Sequence, residues 1–444
     1  MNGRDIYVMD AGVHYVPRDG QHLFVNPELP DWLLLNTNGA LILSLLDGEH
    51  SLQDVITIAT GQGVPESHVK ATVTRALYHG IVARDGYVVP SVAPENPREL
   101  RTILIKVTNN CNLSCDYCYA ESGVGESLTN DDLTKILADV NARFGPVRFE
   151  LSGGEPLLHK GTVPFAVAAR ASGHTTALLT NGAVINHRNV DDIAMAFEMV
   201  QISIDGADAE GHDCHRGEGS HAKATAAAEL LMERGVNVQI GMTMSFGSMK
   251  SIDRMIAKWG KRLKIKPMSV IGRGAQRIGA LTADEHFKFI EPYYNSVEAG
   301  HPRLKVAQFV SNQRRARAKK CAIGDMHVSI SETGDVYPCH LVHDKCYLAG
   351  NIRQQSLGDI YDRSPVLIDL ERFSVDIMTP CKTCTVKRLC AGGCPAVALA
   401  ESDRIDVAPS FCAHERRRFI DAIFDVEGGI LAKSEDVPEP SVIA

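Results

Sequence analysis

Three cysteines, Cys111, Cys115 and Cys118, stand at C-x3-C-x2-C spacing directly after the apolar, β-type run Thr102–Val107. Three thiolates can hold three irons of a [4Fe–4S] cube and leave the fourth open to chelate a small molecule, whereas electron carriers use four cysteines. Zinc prefers four ligands in paired C-x2-C knuckles, so three cysteines favour iron–sulfur without excluding zinc. A second field follows far downstream: Cys321, Gly334-Asp-Val-Tyr-Pro-Cys339, Cys346, then Cys381-x2-Cys384-x5-Cys390-x3-Cys394, and Cys412. Cys214 lies between the fields and reads as a reactive thiol or, equally, as a small buried residue. Clustered cysteines in a chain of this kind are metal ligands before they are disulfides.

The rest of the chain must hold these groups. Its 444 residues allow two or three domains, and 44% hydrophobic with 23% charged residues is ordinary for a globular protein. A net charge of −8 argues against nucleic acid as a partner. No apolar run reaches membrane-spanning length and the N-terminus lacks signal-peptide order, so the expected location is cytoplasmic, with no membrane partner.

Residues 1–90 form a separate module. Ile6–Met9, Val13–Val16 and His22–Val25 predict three opening strands, and Asn36-Thr37 precedes a helix over Ala40–Leu46. Ser51-Leu-Gln-Asp54 carries a capping signal, and Pro65 opens a helix with Val69, Val73, Ala76 and Leu77 on one face. Ile81–Val89 predicts a hairpin across Asp85-Gly86, which completes a winged-helix-like unit. Residues 91–101, with Pro94 and Pro97, read as a semi-extended linker.

From 102 to 310, strands and helices alternate. Strands are predicted at Ile103–Val107, Val147–Leu151, Thr175–Thr180, Met199–Ile204, Val236–Ser245 and Leu263–Val270, with helices between them such as Asn130–Phe144. Alternation implies a parallel α/β sheet with right-handed crossovers, and six repeats fall short of a closed eight-stranded barrel. In such a partial (β/α)6 barrel, active residues belong at the carboxyl ends of the strands. Ser152-Gly153-Gly154-Glu155-Pro156, Thr180-Asn181-Gly182 and Ser203-Ile204-Asp205-Gly206 all stand there, and His215-Arg216-Gly217 follows. Ile271-Gly-Arg273-Gly-Ala275 ends the sixth strand. The basic run Arg314, Arg315, Arg317, Lys319 and Lys320 reads as a solvated helix face, with an acidic-peptide site as the alternative. A helix is expected over His414–Phe424, within a cysteine-rich domain at 311–424 and ahead of a tail at 425–444.

The C-x3-C-x2-C motif, the GGEP segment and the strand-end residues together resemble the radical SAM superfamily. That resemblance implies a [4Fe–4S] cluster on Cys111, Cys115 and Cys118 that binds S-adenosylmethionine and generates a 5′-deoxyadenosyl radical. It also implies SAM contacts from Tyr117 beside adenine, from Ser152, Gly153, Gly154, Glu155 and Pro156 toward the ammonium group, and from Asn181, Ser203, Asp205 and Arg216. Arg216 would face the SAM carboxylate. The second cysteine field resembles the SPASM domain, which implies two auxiliary iron–sulfur clusters. Cys381, Cys384, Cys390 and Cys412 would hold the second, and Cys321, Cys339 and Cys394 the first. Cys346 would complete that first site, or an iron stays open, because no cysteine stands shortly before Cys321. The N-terminal module resembles PqqD-like peptide-recognition domains, which bind a leader peptide as an added strand.

Together these resemblances imply a radical SAM/SPASM maturase of ribosomal peptides. It would abstract hydrogen from a bound precursor peptide and form a thioether or carbon–carbon cross-link. A reductant such as flavodoxin or ferredoxin is the implied second partner. The alternatives are peptide epimerisation, with Cys214 or Cys346 as hydrogen donor, another radical peptide oxidation, and a non-catalytic peptide-binding electron carrier.

Overall fold

The computed structural model describes residues 2–87, 98–243, 250–266, 302–316 and 318–429. The expected Ile271–Ala275 segment, Arg317, most of the 91–101 linker, the second arm of the 81–89 hairpin and the far ends of two predicted strands lie outside them.

In the N-terminal unit, β1 (Ile6–Met9), β2 (His14–Arg18), β3 (Gln21–Asn26), β4 (Asp31–Asn36), β5 (Asp47–Ser51) and β6 (Val82–Ala83) accompany α1 (Thr37–Ser44), α2 (Leu52–Gly61) and α3 (Glu66–Tyr78). The three expected opening strands do not share one sheet: β2-β3-β4 make one antiparallel sheet and β5-β1-β6 another. Sequence reading missed β4. Leu33 and Leu35 enter the core under the helices, whereas Trp32 enters a different core. With both faces buried, Trp32–Leu35 shows no alternation to betray a strand. Ser51 and Asp54 form the expected reciprocal capping box.

The central sheet begins with β7 (Thr102–Thr108), β8 (Arg148–Gly153), β9 (Thr175–Thr180), β10 (Met199–Ser203), β11 (Asn237–Thr243) and β12 (Leu263–Lys266), all parallel and in sequence order. Helices Asn130–Arg143, Thr162–Ala171, Val190–Ala196, Ser220–Glu233 and Ile252–Trp259 cross between them. Ile103, Ile105 and Val107 of β7 join the large core with these helices. The alternate residue Lys106 pairs at 3.0 Å with Glu332, and on β8 Arg148 pairs with Glu150 at 3.0 Å. Period-two alternation thus puts hydrocarbon under the helices and charge on the opposite face.

The sheet does not stop at β7. β13 (His327–Ile330) adds parallel to it, and β14 (Asp335–Tyr337) and β15 (Gly350–Asn351) follow antiparallel. The expected break near 310 is therefore not a break in the sheet, because the cysteine-rich part supplies three of its nine strands. Nor is the end of the linker free. Arg98 pairs with Glu371 at 2.7 Å, and the Arg101 amide donates to the Met326 carbonyl.

Arg314 and Arg315 of the basic run are neither a solvated helix face nor an open peptide site. The run follows the helix Pro302–Asn312, and Arg314 and Arg315 grip the buried Asp31 carboxylate at 2.6 and 2.7 Å. Arg314 also reaches Glu427 at 3.0 Å and lies 4.4 Å over the Trp32 ring, and Arg315 lies 4.2 Å over Tyr78. Burial would raise the Asp31 carboxyl, but His79 and Arg314 outweigh it and hold it below its ordinary range. Around this clamp, Leu23, Val25 and Trp32 pack with Val386, Leu389, Phe419, Ile423 and Phe424 of the C-terminal part.

Replacing Asp31 with Ala strands two guanidinium groups and is expected to cost about 3 kcal/mol. Urea unfolding followed through Trp32 emission in a Trp259→Phe background reads that cost. An unchanged midpoint would mean that the apolar core alone holds the interface.

Candidate active site

The cysteine loop leaves β7 without regular secondary structure of its own, so its hydrogen bonds come from neighbours. The Cys111 amide donates to the Gly123 carbonyl at 2.8 Å, and the Asn109 amide to the Glu126 carbonyl at 2.9 Å. From β8, the Gly154 amide donates to the Thr108 carbonyl and the Glu155 amide to the Asn110 carbonyl, each at 2.8 Å. A Cβ on Gly153 would lie 2.3 Å from the Thr108 carbonyl oxygen, and one on Gly154 2.3 Å from that of Asn110. The two glycines are thus required by the cysteine loop itself, before any ligand is considered.

Glu155 is fully buried, and its carboxylate is engaged within the protein. It accepts from the Thr180 hydroxyl at 2.8 Å, the Asn181 amide at 2.9 Å and the Leu157 amide at 3.1 Å. Burial nevertheless pushes its carboxyl up to about 7, with those hydrogen bonds opposing. Its side chain therefore ties the end of β8 to the end of β9 rather than standing open to an ammonium group. Pro156 starts the short turn that follows.

Asn181 reaches the first cysteine loop. Its amide nitrogen lies 3.9 Å from Cys111 Sγ and donates to Asn112 Oδ1 at 2.9 Å. Asp205 and Arg216 form a buried ion pair, and the Tyr117 hydroxyl and the Thr243 amide also donate to Asp205. Burial would raise the Asp205 carboxyl, but the Arg216 charge and hydrogen bonds hold it below the ordinary range. Arg216 is thus paired with Asp205 rather than presented unpaired to a carboxylate. Its guanidinium lies 5.4 Å from the Tyr117 ring centre and opposes the burial that pushes Cys115 up to about 11. Ser203 ends β10, half-buried, and Ser152 is buried near the end of β8.

Cys111, Cys115 and Cys118 lie close enough that each thiolate acts on another. In the cysteine-rich part, Cys321, Cys339 and Cys394 likewise act on one another, and burial pushes Cys339 up to about 12. Cys381, Cys384, Cys390 and Cys412 line one cavity together with Glu415 and Arg416. Cys412 opens a 16-residue helix, and burial, with the charge of Cys384, pushes its thiol above the ordinary range. Cys346 stands apart, exposed, and the group acting on its thiol is Asp344 rather than another cysteine. Cys214 is exposed on the helix Ala209–Arg216, which removes the buried-residue alternative. These donor sets fit iron–sulfur clusters: three gathered thiols beside β7, three more beside β13 and four around a cavity.

Sequence reading passed over Tyr119 and His340, which directly follow Cys118 and Cys339. Their rings meet edge to face at 6.0 Å. Burial, then the charges of Cys118 and Cys339, pushes the Tyr119 hydroxyl up to about 12. Tyr119 therefore lies between the first cysteine loop and the first auxiliary thiols. Adjacency to a ligand was the available signal.

Residues 105–256 match the radical SAM superfamily, and residues 321–385 match SPASM, an iron–sulfur cluster-binding domain. The chain carries a radical SAM domain that binds a [4Fe–4S] cluster and SAM, followed by an iron–sulfur-binding SPASM domain. Among curated proteins it is similar to the AdoMet-dependent heme synthase of Methanosarcina barkeri, 28% identical over 345 residues, covering 71% of this chain and 96% of that one. It is 25% identical over 327 residues to the PqqA peptide cyclase of Granulibacter bethesdensis, covering 70% and 86%. It is 26% identical over 413 residues to the antilisterial bacteriocin subtilosin biosynthesis protein AlbA of Bacillus subtilis, covering 86% and 90%. Two solved structures share the fold. Native anSMEcpe with bound AdoMet has TM-score 0.62 and 19% identity, over 74% of this chain and 99% of that one. Streptococcus suis SuiB bound to precursor peptide SuiA has TM-score 0.54 and 16% identity, over 92% and 100%.

Because the folded state holds the Glu155 proton more tightly than the unfolded chain, its stabilising contribution is complete below about pH 4.5 and is lost as pH rises toward 7. Glu155→Gln mimics the protonated form. Relative to wild type, the metal-free variant should gain roughly 3 kcal/mol between pH 5 and pH 8 in urea unfolding. A constant difference across that range would refute the buried-proton reading.

Proposed function

We propose that this protein is a peptide-modifying radical SAM enzyme that cross-links a ribosomally made precursor peptide, through a thioether or a carbon–carbon bond. The observation that carries the reading is the convergence of Cys111, Cys115 and Cys118 with Asn181, Asp205 and Arg216 at the carboxyl ends of β7, β9 and β10. The bound cluster and SAM supply a 5′-deoxyadenosyl radical that abstracts hydrogen from an unactivated carbon.

The chain's own residues do the rest. The three cysteines hold the cluster, and Asn181 donates toward the Cys111 sulfur. The Arg216–Asp205 pair anchors Tyr117 and puts positive charge beside Cys115. The surrounding core excludes water. Similarity to PqqA peptide cyclase and to AlbA supports a peptide substrate, and the AlbA alignment covers 86% of the chain.

Residues 1–90 are the leader-binding element in this reading, 102–310 the catalytic domain and 311–424 the holder of two auxiliary clusters. Auxiliary clusters held there would accept the electron released as the new bond forms, and a flavodoxin or ferredoxin is the reductant that would supply the electron for SAM cleavage. The cytoplasm is the expected location, and among the described residues no helix is long and apolar enough to cross a membrane.

Mass spectrometry tests the reaction. A precursor peptide encoded beside the gene is incubated anaerobically with reconstituted enzyme, SAM and reductant. Loss of two hydrogens with wild type and an unchanged mass with Cys111→Ala are expected. SAM cleavage without any peptide change in a panel of neighbouring peptides would sink the cross-linking reading, and deuterium uptake from heavy water would favour epimerisation.

A further inference from the structure

The first auxiliary site gathers three thiols, and Cys346 does not join them. Another donor does. His327 opens β13, and its backbone is bonded to the residue after Cys321: the His327 amide donates to the Ala322 carbonyl at 3.2 Å. Across the hairpin, Ser329 faces Tyr337. Cys339 follows two residues after Tyr337, so the chain leaving the hairpin runs back toward His327. The hairpin thereby holds an imidazole between the loop of one cluster cysteine and the side chain of another.

The side chains agree with the backbone. One ligand atom each from His327, Cys339 and His340 lies within 4.8 Å of the other two. His340 Nδ1 is 3.8 Å from Cys339 Sγ, and its ring also meets Tyr119. His327 Nε2 differs: it is buried, and among the described residues it has no hydrogen-bond partner. Buried polar atoms are rarely left so, and one beside metal-binding thiols points to a ligand absent from the polypeptide. Ligands on neighbouring irons of a cube stand farther apart than these atoms. The imidazole must therefore turn on loading, and Nε2 has no hydrogen bond to give up in turning.

We propose that His327 supplies a fourth, nitrogen ligand to the iron–sulfur cluster held by Cys321, Cys339 and Cys394. This rests on the assignment of those cysteines to the first auxiliary cluster. Exchanging a thiolate for a neutral imidazole removes negative charge and raises the reduction potential, as in other histidine-ligated clusters. It also closes that iron to a substrate thiolate.

The test uses full-length protein reconstituted anaerobically, without SAM, whose amino group would add a nitrogen of its own. Iron and sulfide are counted, and pulsed EPR is recorded on the signal that Cys339→Ala abolishes. The wild type should show strong nitrogen coupling on that signal, retained in His340→Ala and lost in His327→Ala. His327→Cys should restore a full cluster without nitrogen coupling and at a lower potential, with the signal of the Cys111 cluster reporting intact folding throughout. A cluster present in wild type without coupled nitrogen, or coupling that survives His327→Ala, would overturn the inference alone. One stoichiometric zinc held by His327, Cys339 and His340 would overturn it too. Iron and sulfide short by one cluster in wild type would remove the cysteine assignment, and the inference with it.

Discussion

Everything in this protein depends on holding three thiols at one point in a loop that has no secondary structure to hold it. Cys111, Cys115 and Cys118 lie beyond the end of β7, and the loop's backbone groups are satisfied by the end of β8 and by residues 123–126. The close approach of two backbones at Gly153 and Gly154 makes this possible, and a side chain at either position would collide with a carbonyl. Glu155 then fastens the same corner to the end of β9 through two hydrogen bonds from buried donors, with a third from the Leu157 amide of its own turn. The motif is a structural brace as much as a ligand contact.

Charge is handled by pairing inside apolar surroundings. Asp205 with Arg216, Lys106 with Glu332 and Asp31 with Arg314 and Arg315 each put an ion pair where at least one partner is buried. Such pairs gain little over hydrocarbon, but they cost heavily when broken, so they fix geometry. At the Asp205 pair that geometry is the position of Tyr117 and of the positive charge beside Cys115. At the Asp31 clamp it is the seating of the N-terminal unit against the helix that begins at Cys412. The core shared there includes flanking contacts from Cys384 and Cys390, so the N-terminal unit and the four-cysteine cavity are mechanically one piece.

Much of the architecture was legible in the chain because local chemistry carried it. The capping box Thr129–Asp132 opened its helix where expected, and β7, β9 and β10 fell within a residue or two of the hydrophobic runs that signalled them. β4 was not legible, since Trp32 and Leu33 serve two different cores and no polar face remains to mark the period. The basic run misled for a related reason. A string of arginines reads as solvated, yet Arg314 and Arg315 found a carboxylate 283 and 284 residues earlier.

The sequence by itself determined the ligand types, the order of the strands and the placement of chemical residues at strand ends, because spacing and periodicity are local properties. Tertiary structure alone decided which groups meet. It joined β13 to β7 and so merged two parts of the chain into one sheet. It turned Arg216 onto Asp205 and closed the Glu155 carboxylate within the protein. It left Cys346 exposed and brought ligand atoms of His327, Cys339 and His340 within 4.8 Å of one another. These are contacts between residues whose separation along the chain carries no periodic signal, and burial and pairing, not spacing, select them.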